Sequence, residues 1–152
     1  MILISHRGNI NGKSDLLENQ PSYIDRALNN GFNAEVDVWI LDDKLYLGHD
    51  APQYSIDVEW LSIRAHALWV HCKNIKAVEF FHKIHKDSIH YFWHETDTVA
   101  LTSKHYIWAF PGKQPIKNSI AVMPEIYNEG VDLCIGVCSD YINKYNHNVR
   151  YR

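Results

Sequence analysis

An α/β fold is what the sequence predicts: one domain over residues 1–152, built as a shortened or incomplete TIM-type β/α barrel with mostly parallel strands. Two observations carry this. Strand-like and helix-like patterns alternate along the chain, the signature of parallel β/α units. The connectors then shrink in the second half, and a full eight-fold barrel typically needs about 250 residues.

The elements follow in order. Ile2-Leu3-Ile4-Ser5 is apolar and β-prone and forms the first strand. Asn19 and Pro21 open a helix whose apolar stripe is Tyr23, Ile24, Ala27 and Leu28, with Gly31 as its stop. Residues 34–40 alternate in polarity, and Asp42-Asp43 turns the chain into a second run at 44–48. A helix at 57–65 precedes a strand at 67–72. The next helix, about 75–86, carries Ala77, Phe80, Phe81 and Ile84 on one face. Further strands fall at 89–93, 105–110, 119–123 and 133–138, making seven candidate barrel strands. Between them, 94–104 holds one short helix at best, and 111–118 contains two prolines and a glycine.

Composition narrows the function classes. With 46% hydrophobic residues the chain can furnish a sizeable core. Fifteen basic against 18 acidic residues give a net charge of −3, which excludes a broad nucleic-acid footprint. No apolar run reaches the roughly 18 residues of a membrane span. Met1–His6 is too short an apolar stretch for a signal peptide and reads directly as a strand. The three cysteines lack CxxC spacing, and Cys134 and Cys138 lie in a strand-like segment that does not suit zinc. A reducing compartment, by default the cytoplasm, is expected. Most of the ten histidines read as surface residues: His82, His85 and His90 in or beside a Lys-rich helix, His147 in a polar tail.

Some polar residues stand where a barrel interior should be apolar. Glu35 and Asp37 are two apart in a strand, so they share a face, with Val36 and Val38 on the other. Two adjacent carboxylates repel unless a cation lies between them, and a hard divalent ion answers that need. The alternative is the solvent side of an edge strand. His71 and Lys73 repeat the spacing on the next strand; Lys73 either balances a bound phosphate or forms a salt bridge to Glu35 or Asp37. His6 and Arg7 close the first strand before Gly8, at the mouth where barrel chemistry sits, and His49 reaches the same mouth from Gly48-His49-Asp50. Two histidines on opposite sides of a phosphorus atom can act as base and acid.

Taken together, His6-Arg7-Gly8, Glu18-Asn19, Glu35-Val36-Asp37-Val38 and Gly48-His49-Asp50 resemble the glycerophosphodiester phosphodiesterase family in order and spacing. The resemblance is specific over residues 2–50 and looser beyond, where Lys73 and Val137-Cys138-Ser139-Asp140 match later strands. It implies the fold of the phosphatidylinositol-specific phospholipase C-like phosphodiesterases. It also implies a hydrolase of lipid metabolism acting on a small-molecule phosphodiester. Glu35 and Asp37 would ligate magnesium or calcium, His6 and His49 would be the acid–base pair, and Arg7 and Lys73 would hold the phosphate. A neighbouring substrate hydroxyl typically attacks phosphorus in this family.

Two departures qualify the resemblance. His71 stands where the family places a third metal carboxylate; as a ligand it would favour manganese or zinc, or it would contact phosphate instead. The later loops are short, leaving a cleft that is open or completed by a partner chain, and thinly covered strands are compatible with a homodimer. His94, Glu95, Lys113, Glu125 and Asp140 are further candidates for the mouth, Glu95 or Glu125 as a replacement carboxylate. Trp93, Trp108 and Phe110 line the pocket or fill the core. The competing function is a degenerate barrel that binds a phosphorylated ligand without turnover.

Overall fold

The computed structural model describes residues 1–84 and 88–146; His85, His147 and the expected end of the third helix at 85–86 lie outside them. In chain order the first half contains β1 (Ile2–His6), α1 (Pro21–Asn29), β2 (Asn33–Leu41), β3 (Lys44–Leu47), β4 (Tyr54–Ile56), α2 (Val58–Arg64) and β5 (Leu68–Cys72). The second half contains α3 (Ile75–Ile84), β6 (Tyr91–Phe92), β7 (Val99–Leu101), β8 (Ile107–Ala109), β9 (Ser119–Val122) and β10 (Gly136–Ser139). Short 3-10 turns at Pro124–Ile126 and Ile142–Tyr145 flank β10.

The sheet is mixed. A parallel run β6-β5-β2-β1-β10-β9-β8 forms its body. Antiparallel pairings attach β3 to β2, β4 to β3 and β7 to β8. The run curls into an incomplete barrel. Phe92 on β6 and Trp108 on β8 belong to opposite ends of it, yet their rings lie 4.5 Å apart. The seam between those ends is laced rather than paired: just past β7, the Ser103 N–H donates to the Tyr91 carbonyl at 2.8 Å. The connector at 94–104 therefore carries a short strand and not the helix expected there. Its three residues follow no helical stripe, and Val99 and Leu101 are exposed.

Pleating assigns the faces. Ala34, Val36, Val38 and Ile40 of β2 and Leu68, Val70 and Cys72 of β5 point outward, under Ile24 of α1, Leu61 of α2 and Ala77 and Phe81 of α3. Burying side chains such as Phe81 or Ile24 stabilises the fold by roughly 1.5–3 kcal/mol each. Helix α1 starts at Pro21 and stops at Gly31, where a φ of 83° suits glycine. Asp57 caps α2 by accepting from the Trp60 N–H at 2.7 Å. Asp42 and Asp43, both at positive φ (48° and 58°), close the β2–β3 hairpin as a two-residue turn.

One expected surface residue is inside. His90 is 4% exposed, tilted against Trp69 with ring centroids 4.1 Å apart, and bonded through Nε2 to Thr102 Oγ1 at 2.7 Å. It precedes β6 by one residue, beyond α3, so the helix's polar face does not govern it.

Candidate functional site

The inward face of the same strands carries the unusual polar residues. Glu35 is 2% exposed and Asp37 fully buried, so the solvent-edge alternative does not describe them. Register sets Asp37 directly beside His71 across the β2–β5 pair. Ligand atoms of Glu35, Asp37 and His71 all lie within 4.8 Å of one another.

Proton positions sharpen this trio. His71 Nε2 lies 2.8 Å from the His94 carbonyl oxygen, which can only accept, so Nε2 carries the hydrogen. In a neutral imidazole Nδ1 is then a bare lone pair, and it faces Asp37 Oδ1 at 3.0 Å and Glu35 Oε1 at 3.7 Å. Three electron-rich atoms converge on one small volume, which calls for a proton or a metal ion between them. Glu35 Oε2 is buried without a hydrogen bond among the described residues. Burial and the charge of Asp37 push the Glu35 carboxyl up. A divalent cation fits this donor set because it would satisfy the orphaned oxygen and the lone pair together.

Asp37 is held ionised instead. Burial opposes its charge, but the close contact with His71 and the Arg7 guanidinium outweigh it and keep the carboxyl well below the usual range. Asn19 clamps the residue from both sides, donating Nδ2 to Oδ2 at 2.8 Å and accepting the Asp37 N–H at 3.0 Å. Arg7 Nε pairs with Oδ2 at 2.9 Å and Lys73 Nζ with Oδ1 at 3.8 Å, so the salt-bridge alternative for Lys73 is realised. Asn19 does not open α1; Gln20 occupies that position, and Asn19, at φ 61°, turns inward.

His6 is oriented from behind. Its Nδ1 donates to Asp140 Oδ1 at 2.7 Å, leaving Nε2 towards the cavity, 3.9 Å from Glu35 Oε2. Burial opposes a charge on His6, but the Asp140 hydrogen bond and Glu35 prevail, and its pKa is raised. Asn9 Nδ2 donates to both Asp140 Oδ1 (2.9 Å) and Glu18 Oε1 (2.8 Å). His6, Glu18 and Asp140 also offer ligand atoms within metal-binding reach of one another, but this amide bridges the two carboxylates and makes the cluster a hydrogen-bonded frame. Glu125 completes it, accepting from Ser139 Oγ at 2.8 Å and from the Asp140 N–H at 3.2 Å. On the opposite loop His49 Nδ1 donates to Asp50 Oδ1 at 2.6 Å. Burial and nearby Arg7 lower the His49 pKa.

These groups open into a cavity of about 320 Å³ that His6, Arg7, Glu35, His49, His71 and Lys73 line together. His94 and Glu95 join them, as do Trp108 and Phe110. Other expectations fail. Lys113 lies in a separate, larger and shallower depression of about 730 Å³ beside Gln114 and Tyr127, because Gly112, at φ 82°, turns the chain away. Glu125 supports Asp140 rather than replacing a carboxylate in the trio. Of the three aromatic residues, Trp93 meets the core alternative, packing against the outer core, while Trp108 and Phe110 line the cavity. Sequence reasoning gave no role to Asn9 and read Asn19 only as a helix opener and a member of the Glu18-Asn19 motif; the available signal for both was their place beside the His6-Arg7-Gly8 and Glu18 motif residues. No family model, curated protein or solved structure matches the chain.

Proposed function

We propose that this chain is a metal-dependent phosphodiesterase of the glycerophosphodiester phosphodiesterase type, cleaving a diester of glycerol or a related small alcohol. The observation that carries the reading is the convergence of the His71 Nδ1 lone pair, the buried Asp37 Oδ1 and Glu35 beside a cavity that Arg7 and Lys73 also line. Glu35, Asp37 and His71 would hold the cation, and the imidazole shifts the preference from magnesium or calcium towards manganese or zinc. When bound, the ion would polarise a phosphoryl oxygen and offset the charge that develops there.

The chain's own groups supply the rest. Arg7 and Lys73 give two cationic donors for the phosphate oxygens. His6 and His49 each anchor Nδ1–H on a carboxylate and keep Nε2 for proton transfer. One removes the proton of the attacking substrate hydroxyl as its oxygen bonds to phosphorus. The other protonates the departing alkoxide as its P–O bond breaks. Environments that push the two pKa values in opposite directions suit such a pair.

The test is alcohol release from glycerophosphodiesters with Mn²⁺, Mg²⁺ or Ca²⁺, comparing wild type with His6→Ala. Loss of at least about 10²-fold is expected; equal rates would overturn the assignment. A second reading, ligand binding without turnover, draws on His71 in place of a carboxylate and on the pairing of Arg7 and Lys73 with Asp37. Tight binding of glycerol phosphate with no turnover under any metal selects it. Among the described residues no helix is long and apolar enough to cross a membrane.

A further inference from the structure

The cleft has two unlike arms that meet at Arg7 and His49. The inner arm is the 320 Å³ cavity, whose far wall is Trp108, Phe110, Val122 and Met123. The outer arm, about 410 Å³, shares Arg7 and His49 and, apart from Ala51, is polar, lined by Asn19, Asp50 and Gln53 and by the Lys13–Asp15 ion pair. A phosphate held at Arg7 therefore sends its two ester substituents into different surroundings.

The inner arm also carries an unmet demand. Both ring nitrogens of His94 are buried and lack hydrogen-bond partners among the described residues, although the ring lines this cavity and tilts against Phe110 with centroids 5.2 Å apart. A buried donor and acceptor left unpaired cost free energy, which a ligand group recovers once the ring turns to present a nitrogen to it. An alkyl chain would cover the aromatic wall and leave His94 unsatisfied; a polyol would do the reverse. A flat ring with a polar edge does both.

We infer that the substrate is an asymmetric phosphodiester: an aromatic alcohol with a hydrogen-bonding edge occupies the inner arm against Phe110 and His94, and a polyol occupies the outer arm. This deepens the phosphodiesterase reading and rests on its placement of the phosphate.

The probes are two glycerol phosphodiesters, one esterified to 2-(4-hydroxyphenyl)ethanol and one to ethanol, neither with an activated leaving group. Wild-type protein with Mn²⁺ is expected to favour the aromatic diester by about tenfold in kcat/KM, the equivalent of one well-packed ring. In Phe110→Ala that ratio falls towards one, and in Phe110→Leu, which keeps bulk if the alanine variant folds poorly, it falls in the same direction. Equal rates for both diesters in wild type, or a ratio unchanged in a folded Phe110 variant, overturns the inference. Without turnover of either diester the hydrolytic reading fails, and calorimetry decides the inference separately. Tighter binding of the aromatic diester by about tenfold upholds it, and equal or absent binding overturns it.

Discussion

His71 donates its Nε2–H to the main-chain oxygen of His94, 2.8 Å away, and so presents its other nitrogen to the buried carboxylates. This backbone contact fixes the tautomer of the candidate ligand in the way a supporting hydrogen bond orients a metal-binding histidine. It also couples the trio to the loop after β6, whose own imidazole faces the aromatic arm of the cleft.

The His6–Asp140 bond gives the first expectation. Asp140→Asn removes the carboxylate that selects the Nδ1–H tautomer while keeping nearly the same volume. Turnover of a glycerophosphodiester should fall by about 10²–10⁴. The stabilised positive charge is lost too, so the His6 pKa read by NMR should move down. A variant with wild-type rate and an unmoved His6 resonance would contradict the role given to Asp140.

Gly48 gives the second. At φ 154° its added Cβ would collide with the Ala51 carbonyl, and its own carbonyl accepts from Trp39 Nε1 at 2.6 Å. Gly48→Ala should destabilise by roughly 1–3 kcal/mol in urea unfolding. Because His49 is the next residue, kcat should drop in the fraction that remains folded. Unchanged stability would show that the loop relaxes freely.

His90 gives a pH dependence that the cleft does not enter. Burial lowers its pKa from 6.5 to about 4. Above pH 6.5 both folded and unfolded forms are neutral, and the contribution is fully present. As the pH falls towards 4 the unfolded chain takes up the proton first, so stability declines by up to about 3 kcal/mol. Unfolding free energies of wild type and His90→Gln, measured from pH 7 to 4, should converge as acid is added. Parallel curves would contradict the buried neutral state.

Much of this site was legible locally. A period of two placed Glu35 with Asp37, and His71 with Lys73, on shared inward faces, and the strand-ending His6-Arg7-Gly8 marked the mouth. The supporting frame was not. Asn9 meets Asp140 across 131 residues, a contact that exists only because β10 adds in parallel beside β1. No periodicity reports which strand becomes that neighbour. His90 was misplaced for a similar reason, since its burial depends on Trp69 and Thr102 from two other segments. Lys113 was misplaced because the turn at Gly112 decides direction, and strand patterns are silent about the path of a loop.

Manganese titration tests the central claim most directly. Calorimetry or the Mn²⁺ spin-resonance signal should show one ion per chain in wild type, and affinity lower by at least about tenfold in Glu35→Gln and in His71→Phe. Absence of binding in wild type, or equal affinity in all three proteins, would contradict a cation held among Glu35, Asp37 and His71.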